Sequence, residues 1–148
     1  MQALETIRVL GRFHAAHRQL RHPGKCRFPH GHTWRGEIVL RADRFPRDEL
    51  DMSIDFSALK DILKFLDHKI LVTADDPEFA DGDKWDPAGV VVVGGRAPSV
   101  ENVTVYCLDQ VWHLLESKYP SRGVHYEVEV TIQETDHNFF SISAARTI

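Results

Sequence analysis

The chain has 148 residues, 43% of them hydrophobic and 27% charged, enough for one domain with its own core and no disulfide staples. That apolar fraction excludes a disordered chain, and no apolar run approaches the ~20 residues of a membrane-spanning helix. The formal charge is only −4, but it is unevenly spread. Residues 1–36 hold seven Lys/Arg against Glu5 alone, a balance of +6, and the remainder carries −10.

The opening MQALETIRVLGRF places Glu5 and Arg8 among its apolar residues, so it does not read as a signal peptide. Cys26 and Cys107 are the only cysteines and make no disulfide framework, so a reducing cytoplasm is expected. Residues 7–13 alternate, with Ile7, Val9 and Phe13 on one side, as in a half-buried strand. Residues 34–42 repeat the alternation, Trp34, Ile38 and Leu40 opposing Arg35, Glu37 and Arg41. The period then becomes helical: Phe56, Leu59, Ile62, Leu63 and Leu66 form one stripe, with Asp55 or Ser57 available as N-cap. A long Gly- and Pro-containing link, about 72–98, is acidic at its start and contains Val90–Val93, a candidate extra strand. Residues 100–118 carry a second apolar stripe, Val103, Cys107, Val111, Leu114 and Leu115, begun by Pro98-Ser99 and stopped by Tyr119-Pro120. Residues 124–132 alternate most clearly, and 138–143 is a short last strand. The order strand, strand, helix, helix, strand, strand predicts a single α+β domain: an antiparallel four-stranded sheet with both helices on one face.

The chemistry is concentrated in 13–34, FHAAHRQLRHPGKCRFPHGHTW, with five of the nine histidines. His30 and His32 flank Gly31; on a strand, residues two apart point the same way, so both imidazoles reach one ion. His14 or His17, from the end of the preceding strand, supplies a third. Three neutral imidazoles with an open fourth position are the pattern of catalytic zinc, and they leave the ion its full charge as a Lewis acid. Cys26 lies between Lys25 and Arg27, where cations favour thiolate, a base or nucleophile beside the metal. Its rival role is a fourth, closing zinc ligand. Cys107, on the apolar stripe, reads as core. Asp67-His68 can form a carboxylate–imidazole relay at the end of the first helix. Glu134 follows a strand end, where a carboxylate is solvated or paired with a guanidine-like ligand edge.

FHAAHR, CRFPHGHTW, IDFSALKDILKFLDHKIL, PSVENVTVYCLDQVW and VTIQET occur in this order, and together they resemble the 6-pyruvoyl-tetrahydropterin synthase family. Within it the chain is most similar to the 6-carboxytetrahydropterin synthases of queuosine biosynthesis. The similarity runs from about residue 6 to 135 and excludes 73–97, an insertion.

The resemblance implies a tunnelling fold, and a hexamer whose sites are shared between subunits. It also implies zinc on His17, His30 and His32, a catalytic Cys26, an Asp67–His68 relay and a pterin-anchoring Glu134. The implied substrate is 7,8-dihydroneopterin triphosphate, a small molecule, converted to 6-carboxy-5,6,7,8-tetrahydropterin with release of acetaldehyde and triphosphate. The cations between His17 and His30, Arg27 foremost, are then read from charge alone as facing the triphosphate. Pyruvoyl formation without carbon–carbon cleavage is the alternative within the family. Zinc–water hydrolysis would leave Cys26 without a role. A non-catalytic zinc-stabilised assembly module is the reading of another class. The acidic remainder and the lack of aromatics among the cations argue against nucleic acid.

Overall fold

A computed structural model describes residues 4–120 and 123–148; Met1–Ala3, at the start of the N-terminal stretch discussed above, lie outside the described residues. Two long strands, β1 (Glu5–His17) and β2 (His30–Ala42), pair antiparallel over their whole length. Both run past the alternating stretches that reveal them, because polar residues at one end, His17 and His30, take the place of apolar ones. Next come α1 (Phe56–Lys64), β3 (Lys69–Val72), β4 (Val90–Val92), α2 (Val100–Lys118), β5 (His125–Gln133) and β6 (Phe139–Thr147).

The sheet is not the antiparallel four-stranded one that the alternation predicts. It is six-stranded and mixed, in the order β4-β3-β1-β2-β5-β6. After α1 the chain turns at His68, whose φ of 60° is left-handed. It then lays Lys69, Ile70 and Leu71 parallel to Ala15, Ala16 and His17. Val90–Val92 adds a further parallel strand outside it, as the valine run suggested. Segments of three and four residues are too short to display a period, and their pairing is supplied by the long strand beside them.

Both helices cover one face, α1 over β1 and α2 over β5 and β6. Asp55 caps α1, its Oδ1 accepting from the Ser57 N–H at 2.9 Å, and Ser99 caps α2, its Oγ accepting from the Asn102 N–H at 3.3 Å. Leu59 and Leu63 of α1 and Val103, Cys107, Val111 and Leu115 of α2 are fully buried against Phe13, Trp34, Ile38 and Tyr126. No helix among the described residues is long and apolar enough to cross a membrane.

Gly11 and Gly36 lie opposite each other in the register on this covered face, and Leu63 fills the space above them. A Cβ on Gly36 would stand 2.6 Å from Leu63 Cδ2 and 2.8 Å from its Cδ1. Gly36→Ala is therefore expected to lift α1 off the sheet and cost about 1–3 kcal/mol, read as a lowered urea midpoint at unchanged slope.

Candidate active site

The β1–β2 register sets His17 opposite His30, and the pleat brings His32 to the same face one step along. The three imidazole centroids lie 4.6–5.2 Å apart. Trp34 supports the cluster, 5.1 Å from His17 and 5.5 Å from His32, and its indole N–H donates to the Ala15 carbonyl at 3.1 Å. Spacing alone offered His14 or His17 as the third imidazole, and the family resemblance implied His17. His17 is fully buried in the cluster, whereas His14 points the other way and meets the Thr33 hydroxyl at 3.0 Å.

The tautomers follow from the partners. His17 Nδ1 faces the Pro98 carbonyl at 2.7 Å and His30 Nδ1 the Phe28 carbonyl at 2.8 Å. A carbonyl only accepts, so both Nδ1 atoms carry hydrogen and both neutral rings present an Nε2 lone pair. Glu134, in the turn after β5, places Oε1 3.2 Å from His17 Nε2 and 3.3 Å from His32 Nε2. Both nitrogens are buried and neither is aligned for a hydrogen bond. The His17 lone pair facing a carboxylate in a buried site is repelled unless a proton or a cation stands between them.

The electrostatics of the site point the same way. Contact with His17 first, then attraction to whichever of the three imidazoles takes up a proton, holds the Glu134 carboxyl below its ordinary value against the effect of burial. Burial, opposed by Glu134, pushes the His32 imidazole below its ordinary value. One donor atom from each of His17, His30, His32 and Glu134 lies within 4.8 Å of the others. Three imidazoles and a carboxylate suit a divalent transition-metal ion, and the unpartnered buried nitrogens show that the residues fit one.

Cys26 sits on a single 3-10 turn, Lys25–Arg27, half-buried and outside this metal-ligand group. Its carbonyl accepts from the Gln19 N–H at 2.8 Å, which ties the turn to the chain leaving β1. The thiol lines a cavity of about 690 Å³ with His30, His32, Glu134, Lys25, Phe28, Thr135 and Asn138. Cys107 is entirely buried in α2, and burial pushes its thiol up to about 12. Native protein treated with a thiol reagent is expected to label at Cys26 with Cys107 at least about a hundredfold slower, since thiolate is the reacting species. Equal labelling by peptide mapping would contradict the core assignment.

Asp67 and His68 form the expected pair, His68 Nδ1 lying 2.8 Å from Asp67 Oδ2. Asp67 Oδ1 accepts from the His14 N–H at 2.8 Å, and this bond, followed by the His68 contact, lowers the Asp67 carboxyl's pKa. His68 lines a depression with His14, His32 and Thr33, and of these only His32 also lines the Cys26 cavity.

The basic segment differs from its reading by charge. Arg18 and Arg21 are engaged by the insertion: Arg18 grips Asp76 through two hydrogen bonds of 2.7 and 2.8 Å, and Arg21 pairs with Asp75. The acidic start of the link neutralises them, which counting by segment could not reveal. Arg27 donates to the Pro23 and Gly24 carbonyls of its own loop and lies over the Phe28 ring. The contacts at Pro98, Phe28 and Thr33 carry no sequence signal, because two are backbone carbonyls and the third is an ordinary strand threonine.

The chain is similar to known proteins. A protein 6-carboxy-5,6,7,8-tetrahydropterin synthase from Rickettsia conorii is 30% identical over 105 residues, 68% of this chain and 75% of its own length. The similarly named protein of Rickettsia bellii is 30% identical over 112 residues, 72% of this chain and 80% of its own. Among solved structures, 6-pyruvoyl tetrahydropterin synthase from Plasmodium vivax superposes with a TM-score of 0.67 at 22% identity, covering 98% of this chain and 99% of that one. The sequence profile described as 6-pyruvoyl tetrahydropterin synthase matches residues 6–145. A match from the second residue of β1 almost to the end of β6 takes in every element described above, and the chain belongs to the 6-pyruvoyl tetrahydropterin synthase family.

Proposed function

We propose that this chain is a zinc-dependent lyase that converts 7,8-dihydroneopterin triphosphate and water into 6-carboxy-5,6,7,8-tetrahydropterin, acetaldehyde and triphosphate, in the cytoplasmic route to queuosine. The observation that carries the reading is the convergence of His17, His30 and His32 on one point that shares a cavity with Cys26. The names of the Rickettsia relatives favour the carboxy product.

His17, His30 and His32 would hold the zinc, which when bound supplies Lewis acidity toward the hydroxyls of the substrate's three-carbon side chain. The Glu134 carboxylate, at the rim between the histidines and the cavity, accepts paired hydrogen bonds from the amino-pyrimidine edge of the pterin. Cys26, as thiolate, takes a proton from the side chain and returns one to the ring. His68, held by Asp67 through Nδ1, offers Nε2 for the second proton. Because His68 lies outside the cavity of its own chain, it serves the site of a neighbouring subunit in a homo-oligomer, a hexamer by the family's habit. Arg27, beside the thiol, meets the triphosphate.

Incubation with 7,8-dihydroneopterin triphosphate is expected to yield the 6-carboxy pterin and one equivalent of acetaldehyde, identified by mass spectrometry and aldehyde trapping. The family profile and the Plasmodium vivax neighbour favour a second reading, the pyruvoyl product. Triphosphate release without aldehyde would select it, and no turnover at all would sink both.

A further inference from the structure

The insertion after β3 begins and ends on the same short stretch of chain, the residues that leave β1. At its start Asp76 accepts from Arg18 Nε at 2.8 Å and from Arg18 Nη2 at 2.7 Å, and the N–H groups of Glu78 and Phe79 each donate to Asp76 Oδ1 at 3.0 Å. The Arg18 guanidinium also lies 4.9 Å from the centroid of the buried Phe79 ring. At its end the Arg96 carbonyl accepts from Arg21 at 2.8 Å, and the carbonyl of Pro98, the first residue beyond it, accepts from His17 Nδ1 at 2.7 Å. Between these two grips Gln19 donates to the Cys26 carbonyl. Asp76 is only 3% exposed, so this is a built contact and not a surface pairing. Its geometry is bidentate, the form in which a guanidinium fixes direction as well as charge.

From this bracket we infer that the Arg18–Asp76 pair is a positioning element of the metal centre, by which the insertion sets the His17 ring and the Cys26 turn. The inference rests on the metal reading of the three histidines. Arg18 follows His17 directly, so its grip on Asp76 determines how the chain leaves β1 and how the His17 ring meets the Pro98 carbonyl. That carbonyl keeps hydrogen on Nδ1 and leaves Nε2 to the ion. Partners of this outer kind orient a ligand without touching the metal.

The test compares zinc affinity, by chelator competition, in Asp76→Asn, Arg18→Lys and the double variant. Each single variant is expected to bind zinc about 10–100-fold more weakly, and the double variant no more weakly than the poorer single one, because the two residues act as a unit. The visible spectrum of cobalt-substituted protein should shift in the same variants. Arg47→Ala, which breaks the Arg47–Glu5 pair at the other end of β1, is the control for lost stability and should keep wild-type affinity. Arg18→Lys retains charge and most of the side chain, so it decides the question if Asp76→Asn does not fold. Zinc affinity within twofold of wild type in the folded variants, or an equal loss in Arg47→Ala, would overturn the positioning role. Failure of the metal reading looks different: wild-type protein would itself bind no stoichiometric zinc.

Discussion

His32→Ala is expected to bind zinc more than about a hundredfold more weakly than the unaltered protein, since losing even an outer partner of a ligand costs 10–100-fold. Turnover should fall with it. The far-ultraviolet circular dichroism should barely change. His32 contributes an unpartnered buried nitrogen to the fold, so its removal takes away no hydrogen bond that the zinc-free protein makes at that atom. Elemental analysis after dialysis against excess zinc checks the point, and full occupancy in the variant would remove His32 from the ligand set. His14→Ala should keep its zinc, because that ring bonds Thr33 outside the cluster. Acid should act as the substitution does. Burial holds the folded His32 below its ordinary value of 6.5, so the unfolded chain takes up protons that the folded site does not. The zinc-free protein gains stability from this group above that value and loses it as pH falls below it. Metal binding weakens in the same direction as the imidazoles compete for protons.

Cys26→Ala should separate metal from chemistry. Removal of a positioned acid–base group costs about 10²–10⁴ in rate, so turnover of the triphosphate substrate should fall by that factor or more. Zinc content should stay at the wild-type level, since Cys26 lies outside the group of donor atoms that converge with the histidines. Assaying product formation and metal content on the same preparation decides between the two roles that the sequence left open for this thiol. Joint loss of zinc and activity would make Cys26 a ligand and the site a closed one. Zinc retained without turnover fits the thiolate role.

The sequence alone makes much of this site visible, and the reason is local. Histidines two apart on a strand share a face whatever the rest of the fold does, so His30 and His32 declare themselves. Cys107 likewise declares itself as core by the helical spacing of its stripe, and burial pushes its thiol as expected. The cap residues Asp55 and Ser99 act through the backbone two and three positions on, and both helices start where those residues stand.

What the sequence could not determine is pairing between segments distant in the chain. Spacing alone left the third imidazole to His14 or His17 and the resemblance implied His17, but only the pairing of β1 with β2 sets His17 opposite His30. β3 and β4 exist because the end of β1 offers a free edge to Lys69–Val72, and neither carries a period of its own. Charge counting grouped Arg18, Arg21 and Arg27 because they are close in sequence. In space Arg18 and Arg21 belong to Asp76 and Asp75, 58 and 54 residues away. Residue types and their short-range spacing determined which groups can do chemistry here, since those follow from covalent geometry. The tertiary structure decided which of them meet, because a single register between β1 and β2, and the return of the insertion onto the end of β1, bring distant groups to one place.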